Sequence, residues 1–128
     1  MDATKPTSRF QPITVRTMVR EIQSEMRMEE DLQPDRGAVL LMKLSSLLGN
    51  ILDEILEAEY AYNVVLVERM NSEEAANRAT IRAKTSPEYL RLQEAQNTKT
   101  LAVELTRALK FYLRGKQEEH ANARYQQG

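Results

Sequence analysis

The chain has no cysteine and no tryptophan, four glycines, four prolines and 5% aromatic residues in 128. Without cysteine it has neither disulfides nor a thiolate nucleophile, which fits a reducing cytoplasm. One histidine, His120, sits in a polar stretch, so a Ser-His-Asp relay has poor footing. The glycines at 37, 49, 115 and 128 are isolated, and none forms a phosphate-cradling loop. No apolar run approaches the ~18 residues that span a bilayer, and "MDATKPTSRFQP" has no apolar leader core. A soluble, cytoplasmic protein is expected, with no membrane partner.

What remains is Ala, Leu, Glu and Arg, a helix-forming mixture, with charged residues at 29%. The length suits one domain. The fold class expected is all-α: a long helical hairpin with an additional N-terminal helix, coiled-coil-like seams and an oligomeric helical assembly. Residues 1–12 read as a flexible arm, 13–116 as one helical domain, and 117–128 as a polar tail. Within the domain, Val15, Met18, Val19, Ile22 and Met26 recur at helical spacing and predict a helix over 13–31. "QPDRG" breaks it before a second helix over 37–70.

That second helix carries the strongest pattern. Leu41, Leu44, Leu48, Ile51, Ile55, Ala58, Tyr62 and Val65 follow at spacings 3-4-3-4-3-4-3, a heptad seam. Leu40, Leu47, Leu52 and Leu56 widen the stripe beyond what one partner helix covers. Gly49 inside it costs about 1 kcal/mol against alanine, which predicts a close approach there. A short helix over 72–85, capped by Asn71 or Ser72, carries an alanine stripe (Ala75, Ala76, Ala79, Ala83). Ser86, Pro87 and Glu88 form a start signal for a last helix over 87–114, stopped by Gly115. Its inner seam is Leu101, Leu105, Ala108 and Tyr112. The two seams together are expected to join copies of the hairpin.

Charge is unevenly spread. Residues 1–67 sum to −4 and 68–128 to +3, while 77–116 hold nine Lys/Arg against three acids. Arg107, Lys110 and Arg114 fall within about 60° of arc on an ideal helix, with Lys99 to one side and Phe111 on the other. The stretch 105–117 contains no acid. Cations beside an exposed ring suit a single-stranded nucleic acid, phosphates meeting Arg and Lys while a base stacks on Phe. Each such residue also has a plain structural role, since cations near a helix C-terminus complement its dipole. Carboxylates alone hold Mg²⁺ in some all-α hydrolases, but Glu54 and Glu57 form one Glu-x-x-Glu pair without the second that chemistry needs. Asp53, Glu54, Glu57 and Glu59 read instead as salt-bridge partners or a solvated face. The expectation is a protein that is not an enzyme and has no cofactor or metal.

The segment "ILEAEYAYNVVLVERMNSEEAANRATIRAKTSPEYLRLQEAQNTKTLAVELTRALKFYLRG" resembles the small helical recombination mediators of tailed phages, the UvsY type. Shared are an aromatic and Ala-rich helix end ("EYAYNVVL"), a capped Arg/Ala-rich segment ("EEAANRATIRAK") and a long helix ending "LTRALKFYLRGK". The resemblance spans about residues 48–116. It implies a self-assembling, non-enzymatic protein that binds single-stranded DNA and helps load a recombinase onto strands coated by single-strand-binding protein. It also implies DNA contact through Arg82 and Lys84, with Arg78 beside them. The chain departs from the family in its extra N-terminal helix, its near-neutral charge and its short Ser-Pro break. The competing expectation is a phage-type adaptor or inhibitor (an anti-defence or host-takeover factor) or a small virion component. Its docking face would be the methionines Met18, Met26 and Met28 of the first helix.

Overall fold

The computed structural model describes residues 14–72 and 75–127, leaving the side chains of 126 and 127 aside. The expected arm at 1–12 lies outside the described residues. The fold is all-α. Four helices follow in order, with no strand among the described residues: α1 (Val15–Met28), α2 (Pro34–Asn71), α3 (Ala76–Ala83) and α4 (Pro87–Gln127).

Local chemistry sets the helix starts. Thr14 Oγ1 accepts a hydrogen bond from the Thr17 N–H at 3.1 Å and caps α1. Ser86 Oγ does the same for the Tyr89 N–H at 3.2 Å, with Pro87 at the first helical position and Glu88 in the first turn. α2 opens on Pro34 rather than at Gly37, so Gly37 lies inside the helix. The expected cap of α3 is not used. Ser72 Oγ donates to the Arg69 carbonyl at the end of α2, and Ala75 precedes α3 with no side-chain cap.

The C-terminal expectation fails outright. Gly115 does not stop α4, which continues as helix to Gln127. Glycine ends a helix by adopting a left-handed backbone, but nothing obliges it to do so, and its helical cost is about 1 kcal/mol.

α2 and α4 run antiparallel. Tyr62 meets Tyr89 with ring centroids 5.1 Å apart, and at the other end Leu113 packs on Gly37. A β-carbon at Gly37 would lie 2.8 Å from Leu113 Cδ2, so the close approach expected at Gly49 occurs at Gly37 instead. Nothing in the chain lies within 4 Å of a β-carbon at Gly49.

α1 lies along the Gly37 half of the hairpin. Val19 and Ile22 complete a core with Leu40, Leu44, Leu47, Ile51, Ala102, Leu105 and Leu109. Thr98, a buried polar side chain, satisfies itself on the Glu94 carbonyl at 2.7 Å. α3 turns Ala79 and Ala83 inward, so the alanine stripe does admit a neighbouring helix, α2. The turn between α1 and α2 is latched to α4. The Tyr112 hydroxyl donates to the Leu32 carbonyl at 2.9 Å, and Lys116 Nζ pairs with Asp31 at 2.9 Å.

The seam needs correcting. The inward line of α2 is Leu40, Leu44, Leu47 and Ile51, with Leu41 and Ile55 half-buried on its flank and Leu48 also half-buried. Tyr62 and Val65 are half-buried near the α3 end. On α4 the line runs through Leu92, Ala95, Thr98, Ala102, Leu105 and Leu109. Leu101 and Tyr112 flank it, and Ala108 is exposed. Leu44, Ile51 and Leu105 are thus consumed inside one chain. They close the hairpin on itself and have no surface left to join copies of it.

Candidate nucleic-acid interface

α4 is the element that displays charge. Its inner line occupies α2 and α1, so the positions about 180° away face solvent. Arg107, Lys110 and Arg114 fall there and are exposed, as is Lys99 about two turns earlier. None of the four forms an ion pair among the described residues. Phe111 stands beside them at 79% exposure.

Because α4 does not stop at Gly115, the stripe has features the sequence reading missed. Glu118, one turn past Arg114 on the same side, closes the acid-free stretch. Tyr125 lies on nearly the same line as Phe111, about 21 Å farther along, and is fully in solvent. Glu104 borders the Phe111 side. The stripe is therefore a bounded patch of four cations and one ring, with a second ring beyond it.

The other expected cations do not join it. Arg78, Arg82 and Lys84 are exposed around α3, at the opposite end of the hairpin. Counting along α4 at 1.5 Å per residue, that is about 30 Å from Arg107. Nor do the three form a cluster. Lys84 keeps helical dihedrals (φ −73°, ψ −9°), which carries its side chain about 160° round from that of Arg82. Arg82 is also already engaged in an interaction.

Other charges are tied up within the fold. Arg91 donates from Nε and Nη2 to the two carboxylate oxygens of Glu54 at 2.7 and 2.9 Å and lies 3.6 Å from Glu57. Its hydrogen bonds hold the Glu54 carboxyl below the usual carboxylate range, outweighing partial burial. Arg36 forks onto Glu25 in the same way, with Nη2 to Oε1 at 2.7 Å, and lowers its pKa. Asp31 is lowered and Lys116 raised by their mutual hydrogen bond. Glu54 and Glu57 thus serve as salt-bridge partners for the basic half.

A cleft of about 640 Å³ lies between the start of α1 and the α2–α4 hairpin. It is lined by these paired groups, Arg91 with Glu54 and Glu57, and Arg16 with Glu94 at 3.8 Å. It opens on the side of α4 away from the cation stripe. Among the described residues, no three His, Cys, Asp or Glu side chains converge as a metal site, and no helix is long and apolar enough to cross a membrane.

No family model, curated protein or solved structure matches the chain. Any reading of its role stands on the geometry above and on the resemblance in its helical segments.

Proposed function

We propose that this protein is a non-enzymatic accessory factor that binds single-stranded DNA in phage recombination or replication and works as a homo-oligomer in the host cytoplasm. The observation that carries the reading is the outward stripe of α4. There Arg107, Lys110 and Arg114 stand beside the bare Phe111 ring, with Lys99 about two turns earlier, and none of the four forms an ion pair among the described residues. A flexible polyanion can lay phosphates on the four cations and stack a base on the ring, and neither contact requires a particular sequence. The resemblance to UvsY-type mediators points the same way and adds a recombinase and a single-strand-binding protein as partners. In this chain the contacting weight falls on α4 and less on Arg82 and Lys84, whose side chains diverge. The test is fluorescence anisotropy with an oligo-dT strand. Binding that weakens as salt rises supports the reading, and no binding at ~50 mM salt, where phosphate contacts are strong, refutes it.

A protein-binding adaptor is the second reading. Met28 is exposed and Met18 partly so, although Met26 packs against the core. Adaptable methionine surfaces suit protein partners. Recovery of one host protein at fixed stoichiometry, with no strand binding, would decide for it.

A further inference from the structure

α2 has a second apolar face that its own chain leaves largely uncovered. Met42, Leu52, Leu56, Tyr60, Val67 and Met70 are all exposed, with Met42 at 74%, Leu56 at 69% and Tyr60 at 73%. On the helix they lie roughly 100–190° round from the inner line, which faces α1 and α4. They extend over 28 residues, about 42 Å at 1.5 Å per residue. The charges near this face, Asp53 and Glu59, sit at its two edges. Ser45 and Gly49 lie within it, and around Gly49 the chain leaves open space. A glycine in the middle of a long helix, on an apolar face with nothing against it, leaves its helical cost uncompensated within this chain.

We infer that a second copy of this chain docks on this face, antiparallel, with the two-fold axis passing between Asn50 and Ile51. Two observations select that occupant and that register. The first is size. In this register Met70 lies past the start of the partner's α2, so five side chains on each copy, at roughly 60–120 Å² of apolar area each, bury about 600–1,200 Å² in total, which reaches the lower edge of specific interfaces.

The second is shape. Ser45 and Leu56 are equidistant from the axis, as are Gly49 and Leu52, so an antiparallel copy sets each leucine over a small residue. A parallel copy would set Gly49 on Gly49 and leave a void.

The heptad pattern of α2 therefore serves two partners, the inner line closing the hairpin and the outer line joining two hairpins. This goes beyond strand binding and does not depend on it.

The test is sedimentation velocity on the full chain, without nucleic acid, followed by disulfide trapping. The wild-type protein should sediment at twice the 14.7 kDa chain mass. Leu56→Asp should halve that mass with unchanged far-ultraviolet circular dichroism, while Phe111→Asp, equally exposed on α4, should leave the dimer intact. If Leu56→Asp loses helicity, trapping alone decides. The chain has no native cysteine, so Ser45→Cys and Leu56→Cys chains of different tag mass should, when mixed, form the mixed disulfide in preference to either homodisulfide. A monomer at all micromolar concentrations overturns the inference. So does a dimer that persists in folded Leu56→Asp, or one that links Ser45→Cys chiefly to itself. A monomer that still binds oligo-dT would sink this interface and leave strand binding standing; a dimer that binds no strand would do the reverse.

Discussion

Replacing Arg107, Lys110 and Arg114 together by Gln removes three of the four α4 stripe cations, none of which forms an ion pair among the described residues, and leaves Lys99. All three side chains are exposed and hold nothing else in the fold, so the variant should keep wild-type helicity and stability. Binding to single strands weakens with salt at a slope of about −0.7 per neutralised phosphate, so four contacts predict a log–log slope near −2.8 and one contact about −0.7. Between 50 and 200 mM salt the wild-type affinity should fall about 50-fold and that of the triple variant about threefold. If a dimer lays one strand across two stripes, both slopes double and their fourfold ratio stays the same. The assay is anisotropy of labelled oligo-dT titrated at several salt concentrations. Arg91→Gln supplies the control. That arginine is committed to Glu54 and Glu57, so its loss should lower stability and leave the salt slope unchanged. The reasoning is refuted if the triple variant keeps the wild-type slope, or if Arg91→Gln flattens it as much.

Two glycines predict opposite outcomes. In a chain dilute enough to be monomeric, Gly49→Ala should gain about 1 kcal/mol, because its methyl meets open space and the helix gains propensity. Gly37→Val should lose roughly 1–3 kcal/mol by overpacking against Leu113. Urea midpoints measure both, and equal signs would mean that the α2–α4 approach is misplaced. Acid should also unfold the protein in a defined window. Glu25, Asp31 and Glu54 all titrate below their ordinary values because cations hydrogen-bond their charged forms. Their contribution is complete above the unfolded-state carboxylate pKa and is lost as pH falls through the lower folded values. The urea midpoint should be flat from neutrality to about pH 5 and then drop. A transition centred near pH 6–7 would contradict this account.

The helix inventory was legible because periodicity and caps are local. Ser86-Pro87-Glu88 marks the start of α4 in the sequence and in the structure alike, and the alanines of α3 announce the neighbour that buries them. What failed was choice among equals. The doublets Leu40-Leu41 and Leu47-Leu48 offer two adjacent lines of identical chemistry, and only the position of α1, which packs beside Leu40 and Leu47, decides between them. Gly115 failed for a similar reason. A glycine permits a helix to end but does not force it, and no proline follows. The cations on α4 could be placed because one helix face is computable from sequence. The separation of Arg78 and Lys84 from them could not, since it depends on the length of the hairpin between.

That separation bears on mechanism. One chain presents Arg107, Lys110 and Arg114 towards one end, with Lys99 nearer the middle of the hairpin, and the three α3 cations about 30 Å from Arg107, too few in either place to hold a strand tightly against physiological salt. The antiparallel pairing through α2 changes the count without adding a contact. With the axis between Asn50 and Ile51, the residue-37 end of one copy lies level with residue 64 of its partner, beside which α3 packs. The stripe bearing Arg107, Lys110 and Arg114 then shares its axial level with the partner's α3 cations, and the dimer carries two such composite ends. Two sites on one rigid rod bind a strand long enough to reach both with an effective concentration set by the strand between them. Affinity for oligo-dT should therefore rise steeply once the strand spans the rod, in the wild type only. Leu56→Asp, far from every cation on the stripe, should abolish that rise while leaving the affinity for short strands unchanged.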